Sequence, residues 1–187
     1  MQKLIWALDE RLADAGATLS VAGCLDEASY TVGDRELALP EGISYDLMLT
    51  NAGEGIFATG MLHAHVVGTC DRCLDEAAFD IDAEVDEYYL FEMPDVSQYA
   101  DDEDEADFSL VAPDHTIDLS EALSTALIME TPYVILCQED CLGLCPVCGA
   151  NLNHEDCGHA AQLERQRAQE RLEASPFAAL KALKLDE

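Results

Sequence analysis

Residues 56–91 read Ile56-Phe-Ala-Thr-Gly-Met-Leu-His-Ala-His-Val-Val-Gly-Thr-Cys70-Asp-Arg-Cys73-Leu-Asp-Glu-Ala-Ala-Phe-Asp-Ile-Asp-Ala-Glu-Val-Asp-Glu-Tyr-Tyr-Leu-Phe91. Before the cysteines, Ile56, Ala58, Leu62 and Val66 fall on one side of a two-residue period, and Thr59, His63, His65 and Thr69 on the other. After them, Ala77, Phe79, Ile81, Val85, Tyr89 and Phe91 alternate with Asp80, Asp82, Glu84 and Asp86. Successive strand side chains point to opposite faces, so this is the pattern of antiparallel strands with one face buried and one wetted. Two strands, 56–69 and 77–91, are predicted, with Cys70 and Cys73 at the hairpin turn between them. A Cys-x2-Cys turn presents two thiolates on one side of a tight loop, as a metal-binding knuckle requires.

Working toward the N-terminus, Tyr45, Leu47 and Leu49 alternate with Ser44, Asp46 and Thr50. That predicts another strand, with a turn over Asn51–Gly55. Ser29–Val32 reads as a strand fragment. Leu4, Ile5, Leu8 and Leu12 share a helical face and predict a short opening helix. Cys24 stands alone and reads as a small buried apolar residue, not a ligand. His63 and His65 point to one side of their strand. With no third ligand nearby in sequence, they read as surface polar residues.

Toward the C-terminus, residues 92–116 form an acidic linker. From Asp82 to Asp107 there are 12 acidic residues and no basic one. Such a block reads as a solvated, disordered connector, with a docking tail for a basic partner as the competing reading. Order returns at Ile117, where Asp118 with Glu121 resembles a capping box. Leu119, Leu123, Ala126, Leu127 and Glu130 then follow helical spacing, with Ala122, Ile128 and Met129 widening the apolar stripe. Pro132 stops this helix. Tyr133–Leu136 reads as short, extended and apolar. Ala160–Ala174 is a charged helix, and Phe177, Leu180 and Leu183 suggest a last apolar turn. Five of the nine basic residues lie in this tail: Arg165, Arg167, Arg171, Lys181 and Lys184.

Between the two helices, residues 137–159 hold five of the eight cysteines. Zinc takes four soft or borderline donors at tetrahedral corners. Cys145-Pro-Val-Cys148-Gly149 is a second knuckle, and Cys157-Gly-His159 adds a thiolate and an imidazole. Cys145, Cys148, Cys157 and His159 therefore form one candidate site, with His154 as the rival fourth ligand. Cys70, Cys73, Cys137 and Cys141 form a second, clipping the hairpin turn to the segment that leaves the 119–131 helix. The competing partition is a ribbon of Cys70, Cys73, Cys145 and Cys148 with the others free. A thioredoxin-like pair needs a βαβ setting, and the hairpin argues against it. No phosphate loop, nucleophile elbow or dinucleotide fingerprint is present, so the metal reads as structural zinc, one or two ions, and the protein as no enzyme.

The 187 residues carry 39 acidic and 9 basic side chains, a net charge of −30. Such a field repels nucleic acid at long range and attracts basic partners. A solubility adaptation is the competing reading. Nothing approaches the roughly 20 apolar residues of a membrane span, and no secretory signal is visible. The expectation is a cytoplasmic protein, where thiols stay reduced. The fold expected is α+β: an antiparallel sheet or partly open barrel with a packed helix, then a Cys-rich zinc module and a helix. The boundaries expected are a body over 1–136, a metal module over 137–159 and a helical tail over 160–187.

Several pieces of the chain resemble the YceD-like family of large-subunit ribosomal RNA accumulation proteins. They are Gly68-Thr-Cys70-Asp-Arg-Cys73-Leu74, Ile117-Asp-Leu-Ser-Glu-Ala-Leu123, and Pro132 with Cys137. The largest is Glu139-Asp-Cys-Leu-Gly-Leu-Cys-Pro-Val-Cys-Gly-Ala-Asn-Leu-Asn153 with Cys157, followed by the ending Ser175–Lys184. One departure is His159, where the family pattern has a second cysteine. The resemblance implies a non-enzymatic factor for 23S rRNA accumulation and large-subunit biogenesis, in a bacterial cytoplasm or a plastid. It also implies genes often neighbouring that of a small large-subunit ribosomal protein. The partner expected from charge and resemblance together is a basic ribosomal protein or a pre-50S particle, with rRNA reached indirectly and no small-molecule substrate. Zinc-dependent nucleic-acid binding, through the basic 165–184 region, and thiol-redox or metal-buffer chemistry are the alternatives.

Overall fold

The computed structural model describes residues 2–93 and 109–174. Most of the acidic linker and the ending after Ala174 lie outside the described residues. In chain order the elements are β1 (Ile5–Ala7), a 3-10 turn (Glu10–Leu12), β2 (Thr18–Leu25), β3 (Ser29–Val32), β4 (Arg35–Ala38) and β5 (Ile43–Asn51). They continue with β6 (Gly55–Thr69), β7 (Glu76–Leu90), β8 (Ser109–Leu110), β9 (Thr116–Asp118), α1 (Leu119–Glu130) and α2 (Ala160–Ala174). The described residues divide into two compact units, within Met1–Gly68 plus Glu76–Ile135 and within Thr69–Asp75 plus Leu136–Glu187.

The first unit is an open, mostly antiparallel sheet with a helix packed on it. β5 pairs with β6 from Ile43↔Ala64 to Asn51↔Ile56, and with β2 from Thr18↔Thr50 to Leu25↔Ile43. β7 also pairs with β6, and β8 adds to β7 in parallel. The β3–β4 hairpin joins β6 at Ala38↔Val67. The period-two pattern works as expected. Ile56, Ala58, Leu62 and Val66 are fully buried on β6, and Ala77, Ile81, Ala83 and Val85 line the same core from β7. Each fully buried Leu or Ile contributes on the order of 2 kcal/mol. The predicted turn after β5 is held by Asn51, whose Nδ2 donates to Leu12 O at 2.7 Å while its Oδ1 accepts from Gly53 N.

α1 begins where Asp118 accepts from the Ser120 backbone N–H at 3.0 Å, satisfying one of the donors a helix start leaves unpaired. It ends at Thr131, which is extended, as the residue before a proline prefers to be. Leu119, Ala122, Leu123 and Leu127 are buried, and the helix packs on β7.

Five expectations need correction. The predicted opening helix is instead strand β1, paired with β9, because Leu119 N and Leu8 N find carbonyls across that pair. Cys24 is exposed, on the wetted face of β2. Ile128 and Met129 do not widen the buried stripe of α1; Met129 is 78% exposed. In the segment expected to be extended and apolar only Ile135 is buried, while Tyr133 and Val134 face outward. Phe91, placed with the buried side of the last strand, falls just past β7 and is exposed. Among the described residues no helix is long and apolar enough to cross a membrane.

Candidate metal centre

The second unit gathers eight donor side chains into two sets of four. The first starts at the turn after β6. Cys70 N donates to Asp75 O at 2.8 Å and Leu74 N to Cys70 O at 3.0 Å, closing the knuckle with Leu74 in a left-handed conformation. Cys70 Sγ lies 3.7 Å from Cys141 Sγ, and Cys73 Sγ lies 3.5 Å from Cys137 Sγ. Thiolates at tetrahedral corners about 2.3 Å from a centre stand about 3.8 Å apart, so the spacing fits a metal, whereas a disulfide needs about 2 Å. Cys70, Cys73 and Cys141 are buried and Cys137 is half-buried.

The second set is more local. Cys145 N donates to Ala150 O and Gly149 N to Cys145 O, both at 2.8 Å, folding Cys145–Cys148 into the second knuckle. His159 reaches the thiols through Nδ1, 4.0 Å from Cys145 Sγ. Within each set, Cys70/Cys73/Cys137/Cys141 and Cys145/Cys148/Cys157/His159, the donor atoms all lie within 4.8 Å of one another. Cys148 is exposed, and Cys157 and His159 are half-buried. Thus Cys70 and Cys73 converge with Cys137 and Cys141, not with Cys145 and Cys148 as the ribbon alternative would have it. His154 is held elsewhere, its Nε2 3.0 Å from Asp75 Oδ2.

The thiols of each set are electrostatically unequal. Burial raises the Cys70 thiol, but backbone N–H groups of Cys73, Arg72 and Cys137 outweigh it and bring it down to about 6. Burial pushes Cys73 and Cys137 up. Backbone N–H groups of Cys148 and Val147 bring Cys145 down to about 6. For Cys157 the His159 N–H lowers the thiol, but the Cys145 thiol and burial outweigh it and raise it. Each knuckle thus makes one thiolate readily, and a bound dication would offset the burial and thiol contacts that raise Cys73, Cys137 and Cys157.

A supporting set of residues escaped the reading by ligand type. Arg72 Nη1 donates to Cys141 O at 3.0 Å, and Asn153 Nδ2 donates to Cys141 Sγ at 3.3 Å. Leu144 N reaches Arg72 O at 3.1 Å. That approach relies on Gly143, which has a φ of +75° and where a Cβ would sit 3.1 Å from the same oxygen. Asn151 and Asn153 flank the second knuckle in the string that carries the resemblance, which was the available signal.

The family model described as Large ribosomal RNA subunit accumulation protein YceD matches residues 58–184, well over half the chain. The chain belongs to this family. It is similar to a protein of Mycobacterium tuberculosis (strain H37Rv) described only as uncharacterized, at 35% identity over 130 residues, covering 68% of this chain and 60% of that protein. An uncharacterized protein of Mycobacterium leprae is 31% identical over 110 residues, covering 59% of this chain and 49% of that one. The chain therefore aligns over no more than about 60% of the length of these curated relatives. No solved structure matches. The matched region of this family contains both donor sets in full.

Proposed function

We propose that the protein is a non-enzymatic ribosome-biogenesis factor that supports 23S rRNA accumulation and large-subunit assembly in the cytoplasm. In this reading it binds a basic ribosomal protein or a pre-50S particle, and each donor set holds one structural zinc ion. Family membership is the observation that carries the biogenesis role. Zinc is favoured because tetrahedral sets rich in thiolate select it, and reduced thiols stay available for it in a cytoplasm. When bound, the ion would supply a cross-link and neutralise thiolate charge. Four protein donors per set leave no open position for a substrate, which supports a structural role. Cys73 and Cys137 are 64 residues apart, so this clip would constrain a long stretch of unfolded chain.

A basic partner is favoured by the net charge of −30. Direct RNA contact through α2 is less favoured, since Arg165, Arg167 and Arg171 share that helix with Glu164, Glu170 and Glu173. The test is capture of partners on the tagged full chain, with and without nuclease. Retention of a basic ribosomal protein after RNA digestion is expected. Capture that vanishes with the RNA would contradict the protein-binding reading.

A further inference from the structure

We propose that His63 and His65 form a third metal site, for an exchangeable first-row divalent cation, on the open face of the sheet. It is independent of both thiol-rich sets. The two imidazoles sit at i and i+2 on β6, so they project from the same solvent-facing side. Each is held by its own carboxylate from β7. His63 Nδ1 is 2.5 Å from Asp82 Oδ1, and His65 Nδ1 is 2.6 Å from Asp80 Oδ1.

An ionised carboxylate only accepts, so each Nδ1 carries the proton. In the neutral ring that leaves the lone pair on Nε2. A carboxylate behind an imidazole is the arrangement that orients metal-binding histidines and makes them better donors. Here it occurs twice, on adjacent positions of one face. The two rings border a cleft of about 390 Å³ that Glu41, Ser44, Asp80 and Asp82 also line. Two imidazoles suit zinc, nickel or copper better than magnesium or calcium. Water would complete the coordination, and the field of a strongly acidic chain enriches cations at the cleft.

The competing explanation is a pair of cross-strand contacts that only support the sheet. Both histidines are substantially exposed, 52% and 38% by side chain, where such pairs contribute little. The two explanations part in a metal titration. Full-chain protein with its thiol sets loaded with zinc is titrated with Ni(II) as the probe, and binding is followed by equilibrium dialysis and by paramagnetic broadening of histidine ring signals. One nickel per chain is expected, with His63 and His65 broadened first and zinc retained. H63N/H65N should lose at least tenfold in nickel affinity with an unchanged circular dichroism spectrum. D80N/D82N, which keeps both imidazoles, should lose about tenfold, as supporting-carboxylate changes do. H154N should leave the nickel affinity unchanged. Nickel binding that is absent in the wild type, or undiminished in H63N/H65N, overturns the site. Binding undiminished in D80N/D82N overturns the role given to the carboxylates.

Discussion

The Asp75 carboxylate accepts from Asn151 Nδ2 at 2.7 Å, tying the turn that carries Cys70 and Cys73 to the segment just after Cys148. His154 Nε2 meets the same oxygen at 3.0 Å. Hydrogen bonds from Asn151 and then His154 hold the Asp75 carboxyl below its usual range. Within the second unit, then, the two donor sets share a polar brace. D75A should weaken zinc retention about tenfold, a typical effect of groups that position ligands. Chelator competition measures it, and retention equal to the wild type would remove Asp75 from the support.

The two donor sets differ in access. Cys70, Cys73 and Cys141 are buried, whereas Cys148 is exposed. Thiol reactivity needs both thiolate and access. Apart from Cys24, which is exposed and outside both sets, a thiol-alkylating reagent should therefore label Cys148 first and release the zinc of that set before the other. Mass spectrometry of timed samples reads the order, and simultaneous labelling of all cysteines would contradict it.

α1 has a narrow buried stripe. Leu123 is fully buried and Met129 is 78% exposed. L123A should destabilise the first unit by roughly 2–5 kcal/mol and M129A by less than about 0.5 kcal/mol. Trp6, the chain's one tryptophan, lies in that unit, so its fluorescence during urea unfolding reports the difference. Equal losses would show that the stripe is wider than described.

Asp118 links stability to pH. Burial raises its carboxyl, but bonds from the Ser120 hydroxyl and N–H and the charge of Lys3 outweigh this and hold it below the usual range. A carboxyl depressed on folding stabilises above its unfolded value, about 3.9, and loses that contribution as pH falls through the lower folded value. D118A should cost about 1 kcal/mol near neutrality, with the gap to wild type narrowing below about pH 4. A gap constant down to pH 2 would contradict the charged cap.

The sheet was legible where local alternation is strict, as in Ile56–Val66 and Ala77–Val85, and both helices were legible from a cap, a proline and charge spacing. β1 was not, because a three-residue strand has no period to read and its partner β9 lies more than a hundred residues away. The parallel β7–β8 pair was hidden because the two residues of β8 carry no period. Ligand types and knuckle spacing pointed to the eight side chains that converge in two sets of four. The residues that hold them, Arg72, Asp75, Asn151 and Asn153, were hidden because asparagines and a salt-bridging turn look like ordinary loop chemistry until the chain is folded. His159 was preferred to its rival His154 on spacing; the structure sets His159 Nδ1 beside Cys145 Sγ, while His154 Nε2 meets the Asp75 carboxylate.

The most direct test is zinc content of the reduced full chain, measured together with C73S and C148S. Two tightly held zinc ions per wild-type chain are expected, with each substitution removing one and leaving the other. A reduced chain that stays folded with no zinc, or one whose single zinc is lost in both variants, would contradict two separate centres.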